Sequence, residues 1–234
     1  MKRIIYVLLL LCLLSGCLYP QEKRLQLDQL PLHVERVQTA VDMYYQKKKV
    51  LPYRYKADEI KFTSKAVVDF QALKGYLDQI PPSAYENGGF FIYVLTNVEE
   101  KPLVRLFDLR VNDQVEKMQL RINDYKQRHH QLPIKEKLDS KHATIDFDKL
   151  GMDEVQIPSP YDQTAMLPLI MDQQGKVMID YRTEAMKMIQ KAKKKPSEKE
   201  DLRIWMAKHS IYVPAFAKPM KFVKGTPVFT TVQE

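Results

Sequence analysis

Few side chains in this sequence are of the types that bind metals or exchange protons at neutral pH. The five histidines show no zinc-ligand spacing on a helix, and no cysteine joins them; they are His33, His129, His130, His142 and His209. His129 and His130 lie at the end of a predicted helix, where the helix dipole favours positively charged side chains. We therefore expect a solvated helix end there and no metal site.

Two pairs of oxygen-bearing side chains could serve acid–base or nucleophilic chemistry. Asp146 and Asp148 flank Phe147, so on a strand they would share one face, where two carboxylates can bind a cation or separate their pKa values. Ser83 and Ser159 lie in proline-rich turns, without the companions that nucleophilic serines need. Hydrated loop carboxylates and turn serines are the better interpretations. We predict no catalytic residue, no cofactor and no enzymatic activity.

One cysteine stands at a position that indicates specific chemistry. Lys2 and Arg3 precede an apolar run, Ile4–Leu14, which is too short for a permanent membrane span and typical of an export signal. The run leads into Leu14-Ser15-Gly16-Cys17, which resembles the lipobox of bacterial lipoproteins at every position. The resemblance covers only this N-terminal segment. It implies a cleaved signal peptide and a Cys17 thiol that carries diacylglycerol with palmitate-like chains. An ordinary secretory signal or an uncleaved anchor is the alternative.

Lipidation of Cys17 would decide where the protein lies and what it meets. Two acyl chains give stable attachment, so we expect a lipid-anchored protein on the extracytoplasmic face of the cell membrane. Removal of Lys2 and Arg3 with the signal lowers the net charge from +8 to +6. The remaining basic residues are mostly dispersed and form no nucleic-acid motif. We favour a solvated basic surface; anionic lipid or an anionic wall polymer is the alternative partner.

The part of the sequence that must position these residues contains two similar segments. Residues 34–52 align with residues 115–133 at an offset of 81. Further along, the offset is 77, where Phe70-Gln71-Ala72-Leu73 and Ile80-Pro81 align with Phe147-Asp148-Lys149-Leu150 and Ile157-Pro158. Each copy then ends in two apolar runs. Four blocks in the same order predict an internal duplication, in which Tyr44 and Tyr125 occupy equivalent places.

Each copy is predicted to consist of a helix, a long loop and an antiparallel hairpin, so the fold class is α+β. Apolar side chains at helical spacing define one face of each helix: Val34, Val37, Val41 and Tyr44 in the first, and Val111, Val115, Met118, Ile122 and Tyr125 in the second. Pro168 predicts an edge position for the strand that contains it. After the second copy, Ser197 is expected to cap a C-terminal helix, and short extended segments follow.

These signals divide the chain into five parts. Residues 1–16 form the signal peptide, 17–31 a tether, 32–110 the first α+β repeat, 111–182 the second, and 183–234 a C-terminal helical and extended region. Val213-Pro214 and the two apolar runs after it echo the Ile-Pro steps of both copies. Whether the C-terminal region is a truncated third repeat stays open, as does the oligomeric state.

Two further resemblances rest on the repeats. The helix that ends in Tyr44 and Leu51-Pro52, followed by Ile80-Pro81, Tyr85 and a hairpin, resembles the soluble head of type IV pilins and pseudopilins. Their N-terminal assembly helix is missing, so the resemblance implies the topology of the head and no filament. The whole chain is similar to the small uncharacterised lipoproteins of Gram-positive bacteria of the YphF kind. That resemblance implies an envelope with one membrane and no known activity.

The sequence therefore predicts a binding or scaffolding component of the cell envelope, with an unknown envelope protein as its partner and no nucleic acid. The first alternative is an envelope enzyme, or an accessory to one, that acts on wall polymer or peptide. The second is a solute-binding lipoprotein. A cleft in which carboxylates or histidines converge would favour the enzyme, whereas an apolar patch without them would favour the scaffold.

Overall fold

The computed structural model describes residues 27–54, 66–97, 101–162 and 164–230. The predicted signal peptide, Cys17 and most of the predicted tether lie outside these residues. Within the described part of the chain, no helix is both long and apolar enough to cross a membrane.

The first copy is one helix packed against a four-stranded antiparallel sheet. Helix α1 spans Leu30–Lys48, and the sheet has the order β1-β2-β3-β4. Its strands are Tyr53–Arg54, Ala66–Val68, Phe91–Thr96 and Leu103–Asp108. The helix ends at Lys49, which adopts the left-handed conformation just before Leu51-Pro52. The predicted apolar face of α1 packs on the sheet, where Val37 and Val41 are fully buried.

The second copy repeats this arrangement. Helix α2 spans Asn112–His129. In the sheet, β8 pairs on one side with β6 and, nearer its start, with β7, and on its other side with β9, while β5 pairs with the far edge of β6. The strands β5 to β9 are Ile134–Lys137, His142–Ile145, Gln156–Pro158, Met166–Asp172 and Val177–Ile179. The edge position predicted from Pro168 is wrong. Strand β8 has neighbours on both sides, and Pro168 lies where its partner changes from β6 to β7.

A glutamine on each helix holds the closing hairpin of its own copy by the same pair of hydrogen bonds. Gln38 Nε2 donates to Pro102 O at 3.1 Å, and Val104 N donates to Gln38 Oε1 at 2.7 Å. Gln119 makes the equivalent bonds with Gly175 O, at 2.9 Å, and with Val177 N, at 2.8 Å. The α+β fold with two related copies of helix, loop and antiparallel hairpin is thus confirmed.

The C-terminal region adds two helices and a hairpin. Helices α3 and α4 span Arg182–Lys191 and Leu202–Lys208, and strands β10 and β11 span Met220–Val223 and Thr226–Phe229. The cap predicted at Ser197 is wrong. Asp201 caps α4 instead, because its carboxylate accepts the Arg203 backbone N–H at 2.8 Å and also binds the Arg203 guanidinium.

This region also joins the two copies. Leu106 of β4 exchanges backbone hydrogen bonds with Ile211 and Val213, so the C-terminal chain covers the outer edge of the first sheet. One face of that sheet packs on α1, while Val94 and Phe107 from its other face enter the larger core of the second copy and the C-terminal region. The described residues therefore pack around two adjoining cores.

Candidate binding groove

An open groove of about 900 Å³ lies beside helix α2. Its two walls are α2 and the loop that leads into β7, with Met166 of β8 at one side. The lining residues are Gln114, Lys117, Met118, Leu120, Arg121, Asp124, Met152, Glu154, Val155, Gln156 and Met166. We call this surface the α2 groove. Its volume lies within the range of pockets that hold ligands of drug size.

The helical repeat explains which residues α2 presents to the groove. Val115, Met118 and Ile122 are buried against the second sheet. Gln114, Lys117 and Arg121 follow the next stripe of the helix, at spacings of three and four residues, so they line up along one side. Gln119 ties the helix to the β8–β9 hairpin, which holds α2 against the second sheet.

The rim of the groove is apolar and exposed. Leu120 is 68% exposed and Met166 is 50% exposed, while Met118 forms part of the floor at 2%. Three of the lining residues are methionines, whose flexible, polarizable side chains adapt to differently shaped partners. Large apolar side chains left in water around a concave surface are typical of an interaction site.

The charges of the groove are unequally satisfied. Asp124 pairs with Arg128, whereas Glu154 accepts a hydrogen bond only from the neutral amide of Gln156, at 2.9 Å, and has no ion pair with another described residue. Lys117 and Arg121, by contrast, have no ion pair or hydrogen bond from their side chains to any other described residue. They also lie one turn apart on the same helix, where two like charges repel each other. The groove therefore offers two adjacent cations without a counterion from the described part of the chain.

A buried acceptor in the groove is also unsatisfied. Gln114 Oε1 is buried, and none of the described residues donates a hydrogen bond to it. A buried polar atom without a partner costs about 1–3 kcal/mol. A donor from a bound molecule would remove this cost only if the Gln114 amide turned toward the groove.

The first copy closes the equivalent place with its own residues. His33, the counterpart of Gln114, places Nδ1 2.9 Å from Ser83 Oγ, and Ser83 Oγ lies 2.7 Å from the Tyr93 hydroxyl. On the same helix, the ring of Tyr44 meets the ring of Tyr76 edge to face at 5.4 Å between centroids. Polar and aromatic contacts therefore tie α1 to its loop, whereas no such ties connect the described residues of α2 and its loop.

Burial shifts the pKa of two groups in that polar chain. It lowers the pKa of His33, with a further contribution from the positive charge of Arg36. It raises the pKa of Tyr93 to about 12. His33 is therefore neutral and Tyr93 protonated at neutral pH. Ser83, expected only to serve its turn, connects the helix to strand β3.

A second concavity, of about 760 Å³, lies beside Tyr85 and Phe90. These rings are 64% and 59% exposed. The cation in its wall, Arg110, is already paired with Asp108 at 2.5 Å and lies over the Phe91 ring. Because its charge is satisfied, this surface offers a ligand less than the α2 groove does.

Comparison with known proteins identifies one part of the chain. Residues 31–108 match the family model of the YphF family N-terminal domain. The match covers nearly all of α1 and extends to the end of β4, which is the first copy. No curated protein and no solved structure matches the chain. The α2 groove lies entirely outside the YphF-like segment.

The histidines named in the sequence lie apart from the α2 groove. His129 is the last residue of α2 and stacks on Tyr125 at 4.2 Å, and His130 is the left-handed residue after it. His142 lies 2.9 Å from Asp139, and His209 places Nδ1 2.7 Å from Trp205 O. Among the described residues, no three His, Cys, Asp or Glu side chains are grouped so that they could hold a metal.

The two aspartates and Ser159 serve local turns. Asp146 accepts the Lys149 backbone N–H at 3.2 Å, and this bond and the Lys149 ammonium lower the pKa of Asp146. Asp148 is exposed, and its backbone carbonyl accepts the Gly151 N–H at 3.0 Å. Ser159 is buried, and its Oγ accepts the Tyr161 N–H at 3.2 Å. None of the three lines the α2 groove.

The α2 groove was not predicted from the sequence, although the sequence contains a signal for it. The loops Phe70–Ile80 and Phe147–Ile157 have equal lengths. The first contains Tyr76-Leu77, which packs on the core of its copy, whereas the second contains the exposed acids Asp153-Glu154. The positions at which the two copies differ in residue type therefore indicate where the second copy has a groove between its helix and its loop.

Proposed function

We propose that the protein is a lipoprotein of the YphF family, anchored at the extracytoplasmic face of the cell membrane, and that it binds an envelope component through the α2 groove. The observation that carries the binding role is the groove itself, which combines an apolar rim with two cations and a buried acceptor that have no partner among the described residues. The lipid anchor is supported by the Leu14-Ser15-Gly16-Cys17 motif, which follows an apolar run. The family match supports membership over residues 31–108, and we extend it to the whole chain.

The chemistry of the groove favours binding over catalysis. An active site brings a nucleophile and a base, two poised carboxylates or a metal set together in one pocket. The lining side chains here are two glutamines, two cations, the ion-paired carboxylate of Asp124, the carboxylate of Glu154, and aliphatic or methionine groups. The groove can hold a molecule and orient it by charge.

One observation favours the alternative of an envelope enzyme. Ser83 and His33 lie within hydrogen-bond distance, as a nucleophile and its base do. However, the Ser83 hydroxyl is also shared with Tyr93, His33 is only 7% exposed, and neither residue lines the concavity beside Tyr85. These contacts fit a buried structural link better than an active site.

Mass spectrometry of the mature protein tests the anchor. We expect an acylated Cys17 at the N-terminus, and for Cys17→Ala an uncleaved and unacylated precursor. A free N-terminus beyond residue 17 would exclude lipidation.

Site-specific photo-crosslinking in membranes tests the binding role. A photoreactive residue at Leu120, on the groove rim, should give a defined adduct. The same residue at Leu32, which is 56% exposed on α1, is the matched control and should give none. Equal labelling at both sites would show that the α2 groove has no particular partner.

A further inference from the structure

The first copy shows what kind of molecule the α2 groove accepts. We infer that it binds an extended peptide segment of a partner protein, in which an aromatic or leucine side chain lies next to an acidic residue. This inference rests on the proposed binding function and specifies its ligand.

The apolar part of the ligand follows from the loop of the first copy. There, Tyr76 and Leu77 belong to the side chains that pack against the core around α1, and Tyr76 contacts Tyr44. The second copy has a helix and loop of matching length, but its groove is open between Met118, Met152 and Met166. Tyr76 and Leu77 fill this space in the first copy. In the second copy, an aromatic or leucine side chain from another protein would fill it.

The polar part follows from the unsatisfied groups. In the first copy, the Ser83 hydroxyl serves His33, whereas Gln114 Oε1 lacks a donor from the described residues. With the Gln114 amide turned toward the groove, a peptide N–H or a hydroxyl would satisfy it. Lys117 and Arg121 lack a counterion from the described residues, so a carboxylate on the same segment would complete the contact by charge complementarity.

The edge of the second sheet favours an extended backbone. Strand β7, Gln156–Pro158, is the last strand in its sheet order and pairs only with β8 among the described strands. Val155 and Gln156 line the groove beside it. An added strand can pair with such an edge while its alternate side chains enter pockets. An acyl chain would use neither the strand edge nor Gln114.

Peptide selection against the intact chain in detergent tests this inference. The probe is a displayed library of random twelve-residue peptides. We expect enrichment of sequences that pair Tyr, Phe or Leu with Asp or Glu. A labelled peptide from this selection should bind Lys117→Glu/Arg121→Glu at least about tenfold more weakly, the loss expected when two charge contacts are reversed. Lys135→Glu/Lys137→Glu, the same charge change on exposed residues of β5, should bind as the wild type does.

Three outcomes would overturn the inference. The first is equal enrichment on Leu120→Asp and on the wild type. The second is an affinity that the double charge reversal leaves unchanged. The third is displacement of the labelled peptide by phosphatidylglycerol added to the same detergent solution, which would identify a lipid ligand instead. Since acylation of Cys17 is measured separately, failure here would leave the anchored lipoprotein intact as a proposal.

Discussion

The two copies share one frame but differ in how the helix meets its loop. In both, a glutamine at the same helical position holds the closing hairpin, and three apolar positions face the sheet. The first copy then closes the space between helix and loop with a histidine, a serine and two tyrosine contacts. The second leaves a groove with an unsatisfied acceptor. The supporting contacts are thus common to both copies, whereas the contacts between helix and loop differ between them.

The largest effect is expected where the groove and the core share a residue. Met118→Ala should lower the free energy of unfolding by about 2–5 kcal/mol, because it leaves a cavity in the core. Leu120→Ala, on the exposed rim, should change it by less than about 0.5 kcal/mol. Urea denaturation of the two variants measures this difference. Similar decreases in the free energy of unfolding for both variants would contradict the assignment of Met118 to the buried floor and Leu120 to the exposed rim.

The shared glutamines should contribute equally in both copies. Gln38→Ala and Gln119→Ala should each lower the free energy of unfolding by about 1–3 kcal/mol, because each leaves the backbone N–H of Val104 or Val177 without its acceptor. Denaturant unfolding of the single variants checks this. A loss confined to one copy would break the equivalence between them.

The polar chain of the first copy should make stability depend on pH. Because the pKa of His33 is lowered in the folded state, the unfolded chain binds its proton more readily. The contribution of His33 to stability is complete above pH 6.5, the ordinary pKa of histidine, and is lost as pH falls through the lower pKa of the folded state. His33→Gln introduces the residue that the second copy has at this position. It should reduce the difference between the free energies of unfolding measured above and below pH 6.5. An NMR titration of the His33 ring that gives a pKa at or above 6.5 would contradict this explanation.

The smallest effect is expected at Gln114. Gln114→Leu removes an unsatisfied acceptor, so the free energy of unfolding should stay the same or rise by up to about 1 kcal/mol. Ser83→Ala should instead lower it by about 1–3 kcal/mol, because the hydroxyl shared by His33 and Tyr93 is lost. Thermal unfolding of both variants provides the comparison. A clear loss from Gln114→Leu would indicate that the amide already has a partner.

Much of the fold could be predicted from local pattern. The spacing of Val115, Met118 and Ile122 predicted the buried face of α2, and all three are buried. Leu-Pro predicted the ends of both helices, which end three residues before each leucine. Tyr44 and Tyr125 lie at the same position in their helices, each half-buried. The contact partners differ, since Tyr44 meets Tyr76 and Tyr125 meets His129.

The wrong predictions came from residues whose effect depends on distant segments. Pro168 is typical of an edge strand, yet two different strands approach β8 on one side and meet near the proline. Ser197 is a good helix cap, but Asp201 lies closer to the helix and gains a second bond from Arg203. Rules that use neighbouring residues could suggest an edge strand at Pro168 and a helix cap at Ser197. They could not show that other segments of the chain would pair with β8 or that Asp201 would cap the helix instead.

Helix faces, helix ends and the presence of two copies are encoded locally, because backbone dihedral preferences and side-chain spacing act over a few residues. The α2 groove and the chain of His33, Ser83 and Tyr93 are not encoded locally. The hydrogen bonds of that chain join residues 50 and 10 positions apart, and the groove joins α2 to a distant loop and to Met166, so both form only when helix and sheet pack. Gln38 and Gln119 illustrate both the local and the tertiary contribution. Their alignment is visible in the sequence, but the hydrogen bonds that explain it form only in the folded protein.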